Sequence, residues 1–291
     1  MFKTMKRLLA LLSLILPLGA GVAHAEPMRF SVEVAGEGPD VILIPGLASS
    51  REVWRATARQ LEDRYRVHLI QVAGFAESAP GGNAEGAVVG PMADEIVAYI
   101  AQEHLDHPAI IGHSMGGFTG LLIAARHPES VGRLMVVDAL PFFSVLINPA
   151  ATAAAIEPQA AGFRDMILAQ SPGAFAAGQA RAMATLAKTP KARADALAWS
   201  LASDRGVIAR TTYDVMTTDL RGDLAAIKAP VTVVYARDPE MGFFYGLADG
   251  VYAGNYATLK GVQLKRVDGA FHFVMLDQPQ AFAAEVEAFL K

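Results

Sequence analysis

The segment AIIGHSMGGFTG, Ala109 to Gly120, restricts the fold more than any other stretch of this chain. An apolar run of strand character reaches Gly112-His113-Ser114-Met115-Gly116 and passes directly into the helical pattern GGFTGLLIAARH. A sharp strand-to-helix turn around G-x-S-x-G holds the serine in a strained backbone conformation with Oγ exposed, and the flanking glycines leave room for the close approach. The Met115 N–H stands at the helix start, where unsatisfied donors and the helix dipole favour developing negative charge. A serine hydroxyl is a poor nucleophile by itself, so a chain using one must also supply a base, an acid and an oxyanion site.

The rest of the pattern supports an α/β class with a mostly parallel sheet covered by helices. MRFSVEVAG (28–36) alternates like an exposed early strand, and DVILIPG (40–46) reads as a buried one. A helix over VWRATARQLEDRY precedes the strand and turn YRVHLIQVAGF, and MADEIVAYIAQEH has apolar residues at helical spacing. VGRLMVVDA, APVTVVYARD and VQLKRVDGAFH are further strands, and PQAFAAEVEAFLK closes the chain as an amphipathic helix. Between residues 141 and 228 the texture is rich in alanine, methionine and aromatics, with helical segments and no strong strand. This predicts a core over 26–140 and 229–291 with a helical cap inserted at 141–228.

The first 25 residues have the features of a cleaved signal peptide: Lys3, Lys6 and Arg7, the short apolar core Leu8 to Leu16, and small residues at Ala23 and Ala25. The apolar run is shorter than a bilayer span requires, so stable membrane insertion after cleavage is not expected. The mature chain is expected to begin near Glu26 in a periplasmic or secreted location. Without cysteine, the chain has no disulfide, no thiolate chemistry and no cysteine-based metal site. The formal charge of −4 becomes more negative once the three leader cations are lost, leaving no electrostatic footprint for nucleic acid. With 53% hydrophobic residues, the chain has ample material for a packed core.

With the serine turn, the strand order and the interrupted sheet taken together, the sequence resembles the α/β-hydrolase fold family from about Met28 to Lys291. That resemblance implies the chain order serine, acid, histidine. Ser114 is the implied nucleophile. His272 lies after the last predicted strand and before the final helix, where the family keeps its base. Of the other histidines, His24 leaves with the leader, His68 lies in a strand, and His104, His107 and His127 lie at helix ends. His113 is too constrained by the turn to act as base and is expected to pack beneath it. Asp238, after the penultimate strand, occupies the family's usual acid position and is the expected acid; Asp138, at the end of LMVVDA, is the rival. LIPGLASS (43–50) resembles the oxyanion loop, with Pro45 where a histidine is usual, and implies the Leu47 N–H as second donor beside Met115, with Ala48 as fallback. Gln71 stands where the family commonly has aspartate.

The reaction implied is hydrolysis of a small carboxylic ester through an acyl-enzyme, needing no metal or organic cofactor. Perhydrolysis, C–C bond hydrolysis, or a non-catalytic binding role on the same fold are the alternatives. A serine at the turn argues against the dehalogenase and epoxide-hydrolase branches, which place aspartate there. Phe142 and Phe143, at the start of the cap, are candidates for an apolar acyl or aromatic pocket.

Overall fold

The structure, a computed structural model, describes residues 28–291. The expected leader, residues 1–25, and the expected new terminus at Glu26 lie outside the described residues, as do the side chains of residues 243–245 in the aromatic run after Asp238.

Among the described residues, one seven-stranded sheet runs in the order β1-β3-β2-β4-β5-β6-β7. The strands are β1 (Phe30–Ala35), β2 (Asp40–Ile44), β3 (Arg66–Val72), β4 (Ala109–His113), β5 (Arg133–Val137), β6 (Val231–Arg237) and β7 (Gln263–Asp268). β1 pairs antiparallel to β3, and every other pairing is parallel. The runs VILI, AIIG and LMVV are buried on both faces, as a covered parallel sheet requires. Successive side chains go to opposite faces. Ile42, Ile44, Ile110, Leu134 and Val136 join one apolar core, and Val41, Leu43, Ile111, Met135 and Val137 join the other.

The first face is covered by α2 (Val89–Gln102), α3 (Met115–Arg126) and α8 (Phe243–Asn255), through residues such as Met92, Ile96, Leu121 and Tyr252. The second is covered by α1 (Arg55–Leu61) and α10 (Pro279–Leu290), through Ala58, Leu61, Phe282 and Val286. Helix α8 was not marked out by its sequence, where only an aromatic run stands out.

Between β5 and β6 the chain is helical. A 3-10 turn (Phe143–Leu146) leads into α4 (Ala153–Ala169), α5 (Pro172–Leu186), α6 (Pro190–Leu201) and α7 (Arg205–Thr217). Each of these helices starts on a capping side chain. Thr152, Ser171, Thr189 and Asp204 accept from the backbone N–H of Ala155, Ala174, Ala192 and Val207. Pro172 and Pro190 occupy first-turn positions where no N–H is needed.

The insertion is tied to loops at the carboxyl ends of the core strands. Asp204 N donates to Gly74 O at 2.7 Å, Glu77 N to Ala202 O at 2.9 Å, and Phe273 N to Leu186 O at 3.2 Å. Asp214 accepts from Val88 N and Val89 N at 2.6 and 3.0 Å. Among the described residues, no helix is long and apolar enough to cross a membrane.

Candidate active site

The site forms where β2, β4 and β5 end together. Ile44 pairs with Gly112, and His113 with Val137, so the loops after the three strands leave the sheet at one level. Ser114 has φ 52° and ψ −121°, a strained conformation for a non-glycine residue. It is held there by its N–H to Val137 O at 2.8 Å and by its carbonyl, which accepts from Phe118 N at 2.9 Å. The glycines are required by close approach: a Cβ on Gly116 would lie 2.2 Å from Ile44 O, and one on Gly112 2.2 Å from Gly116 O. Ser114 is half-buried whereas its neighbours His113 and Met115 are buried.

The turn after β2 leans directly on this elbow. A Cβ on Gly46 would lie 3.2 Å from Ser114 Cβ and 2.9 Å from His113 Nδ1. Leu47 follows Gly46 in this turn, and Met115 opens α3 directly after the serine. Gln71 braces this turn: its Oε1 accepts from Arg51 N at 2.9 Å and its Nε2 donates to Phe75 O at 3.0 Å. The amide therefore joins the exit of the oxyanion loop to the turn after β3. A carboxylate at this position could accept from Arg51 N but could not donate to Phe75 O.

His272 packs against His113, the residue before Ser114. The His113 ring lies 4.6 Å from the His272 ring, and its Nε2 contacts His272 O at 3.0 Å. A carbonyl can only accept, so Nε2 carries the proton. His113 is held neutral, its pKa pushed well below the usual imidazole range by burial first and by the neighbouring His272 second. This ring packs under the elbow, as its position suggested, and against His272.

The carboxylate that meets His272 differs from the sequence expectation. His272 Nδ1 lies 2.7 Å from Asp138 Oδ2, with the histidine side chain 22% and the aspartate side chain 10% exposed. Asp238, the expected acid, is instead buried against Lys188 Nζ at 2.5 Å and accepts from Glu240 N at 2.8 Å. Both aspartates follow adjacent strands. Asp138 adopts φ 49° with its N–H on Val234 O at 2.7 Å, which turns its carboxylate across the end of β6 to meet Ala236 N at 2.9 Å. Asp238 is claimed by a lysine from the insertion.

Sequence reasoning also missed Tyr252, whose hydroxyl donates to Asp138 Oδ1 at 2.9 Å. The apolar spacing Ala248, Tyr252, Tyr256 could have signalled a helix there, but not its partner. Phe142, a candidate pocket residue, is fully buried, with the Arg221 guanidinium 4.8 Å from its ring centroid. It is core, not lining. Phe143 is 40% exposed on the following turn. Among the described residues, no group of three or more His, Cys, Asp or Glu side chains is placed to hold a metal ion.

A buried strand feeding a positive-φ serine, a histidine on the last loop and an aspartate at a strand end are the parts of a hydrolase site. Comparison with known proteins agrees in fold. Residues 39–221 match the sequence model described as alpha/beta hydrolase fold, and the chain belongs to that family. It is similar to the pimeloyl-[acyl-carrier protein] methyl ester esterase of Aeromonas hydrophila, 35% identical over 117 residues that cover 40% of this chain and 44% of that protein. The enzyme of the same name from Vibrio cholerae is 28% identical over 215 residues, covering 70% of this chain and 78% of that one. Most of the foremost curated relatives are matched over less than half of their own length. In fold, the chain resembles a thermophilic esterase from Thermogutta terrifontis, with a TM-score of 0.73 at 18% identity, over 90% of this chain and 92% of that one.

Proposed function

We propose that this protein is an exported serine hydrolase that cleaves carboxylic esters with an apolar acyl part through an acyl-enzyme. The observation that carries the reading is the Asp138–His272 pair, its imidazole packed 4.6 Å from the ring of His113, which directly precedes a serine at positive φ. His272 Nε2 takes the Ser114 proton as Oγ attacks the ester carbonyl, and returns it to the departing alkoxide. Asp138 fixes the tautomer with the proton on Nδ1 and stabilises the imidazolium. The Met115 and Leu47 N–H groups receive the oxyanion, each donor typically worth about a hundredfold or more in rate. Water, activated by the same histidine, then releases the acid and restores Ser114.

The methyl ester esterases among its relatives support an ester as the bond cleaved. Support for an apolar acyl group comes from Phe143, Leu146 and Ile147, whose large side chains stay substantially exposed on the segment following Asp138. Export rests on the leader-like composition of residues 1–25.

The test is turnover of p-nitrophenyl esters of increasing acyl length by the purified chain and by Ser114→Ala. Activity that disappears in the variant, with fluorophosphonate labelling confined to the parent protein, is the expected result. Equal turnover by both would sink the serine mechanism.

A further inference from the structure

The Asp138 carboxylate divides its oxygens between two tasks. Oδ2 faces His272 Nδ1 at 2.7 Å, while Oδ1 accepts from Ala236 N and from the Tyr252 hydroxyl, each at 2.9 Å. We propose that Tyr252 is a positioning residue for this pair, pinning Oδ1 so that Oδ2 stays aimed at the imidazole. The inference rests on the serine-hydrolase reading and adds the group that fixes its acid.

The torsion that turns a carboxylate about its own axis is broad and two-fold, so one backbone donor leaves the group free to rock. A second donor on the same oxygen, coming from another direction, removes that freedom. Tyr252 has little freedom to give. It is 4% exposed on α8, and its ring stacks on Tyr235 with centroids 4.4 Å apart and planes 20° from parallel. Tyr235 is anchored in turn by its hydroxyl on Asp249 Oδ1 at 2.8 Å.

Burial, reinforced by the charge of Asp138, pushes the Tyr252 phenol well above its usual range, so it remains a protonated donor at every working pH. The other titratable groups around the pair make different contacts. From β4, His113 bonds the His272 carbonyl. Tyr256, at the end of α8, donates to Ala139 O at 2.8 Å. Tyr235 of β6 lies behind Tyr252, and beyond it Asp249 meets Arg266 at 3.1 Å.

Removing the Tyr252 hydroxyl has two separable consequences. The carboxylate loses its orientation, which lowers kcat without touching substrate binding. It also loses a donor that drew charge toward Oδ1, so more negative charge faces the imidazole and stabilises its protonated form. The acid limb of the kcat/KM profile therefore moves to higher pH.

The test compares the parent chain with Tyr252→Phe, Tyr256→Phe and Ser114→Ala on p-nitrophenyl butyrate across pH. Tyr252→Phe is expected to lose about tenfold or more in kcat with KM within about twofold, and to shift the acid limb upward. Tyr256→Phe removes an equally buried hydroxyl that serves only a backbone carbonyl, so it is expected to lower Tm while leaving the limb in place. In an Asp138→Asn background, Tyr252→Phe is expected to cost nothing further, because the phenol acts through that carboxylate.

Three results overturn the proposal: parent-like kcat and limb in Tyr252→Phe, equal losses in both tyrosine variants with an unmoved limb, or undiminished cost in the Asp138→Asn background. If Tyr252→Phe fails to fold, Tyr235→Phe loosens the same ring from behind and is expected to show a smaller shift in the same direction; no shift overturns the proposal. Turnover that persists in Ser114→Ala is a different failure, that of the serine reading itself.

Discussion

His272 and Asp138 meet at 2.7 Å across 134 residues of chain, the aspartate reaching from the end of β5 past the end of β6. The imidazole is thereby oriented from below by a carboxylate with one further oxygen engaged, while its own backbone carbonyl rests on the neutral ring of His113. His272 is held at both its side chain and its main chain.

This arrangement separates two aspartates by role. Asp138→Asn should lower kcat by about 10⁴-fold with little change in KM, since an amide can offer its own N–H to Nδ1 and select the wrong tautomer. Asp238→Asn should keep kcat within about threefold and lower Tm instead. Steady-state kinetics and thermal melts on the two variants decide the matter, and a reversed pattern would return the acid role to Asp238.

The Lys188–Asp238 tie should leave a signature in acid. Burial, the largest single influence, would raise the Asp238 carboxyl, but the Lys188 hydrogen bond, the Glu240 N–H and the Lys188 charge together outweigh it and hold the group below the usual carboxylate range. A group depressed in the folded state stabilises above its unfolded pKa, and that contribution disappears as pH falls through the folded value. The Tm gap between the parent chain and Lys188→Met should therefore be open at pH 7 and close as the pH falls below the usual carboxylate range. A gap independent of pH would show that the tie contributes only by packing.

Gly46 offers a way to disturb the elbow without replacing any of its polar groups. The added methyl of Gly46→Ala would meet His113 Nδ1 at 2.9 Å and Ser114 Cβ at 3.2 Å. The expected result is a stability cost of about 1–3 kcal/mol from overpacking and a kcat/KM loss of about tenfold or more, from displacement of the serine and the oxyanion turn. Denaturant melts and ester kinetics measure the two separately; unchanged kinetics would mean that the turn yields without moving Ser114.

The adjacent phenylalanines should behave oppositely. Phe142→Ala empties a fully buried site and should cost about 3–5 kcal/mol. Phe143→Ala should leave stability nearly unchanged and alter the preference among acyl lengths. A profile across ester lengths identical to that of the parent would remove Phe143 from the substrate path.

The elbow and the place of His272 in the chain were legible because their signals are local. A strand, G-x-S-x-G and a helix follow one another within a few residues, and His272 sits between a strand and a helix that both show clear periodicity. The acid was not legible on those terms. Asp138 and Asp238 both end apolar strands, and the choice between them lies in the positive φ of Asp138 and in a lysine 50 residues away that draws Asp238 aside. Tyr252 was hidden for the same reason, since a tyrosine on an apolar helix face shows no sign of what its hydroxyl will meet. The insertion was readable as helical from its alanine- and methionine-rich texture without a strong strand, but not the loops on which it would settle.

One of those loops carries Asp277, a buried carboxylate at the end of α9 (Val274–Asp277). It accepts from the N–H groups of Lys188 and Thr189, where α6 begins, and from Phe271 N, the residue before His272, all at about 3.0 Å. A single side chain thus knots the start of α6 to the turn that carries His272. A displacement of α6 at this point would be felt in the backbone of that turn, so the insertion and the His272 segment are coupled through one carboxylate.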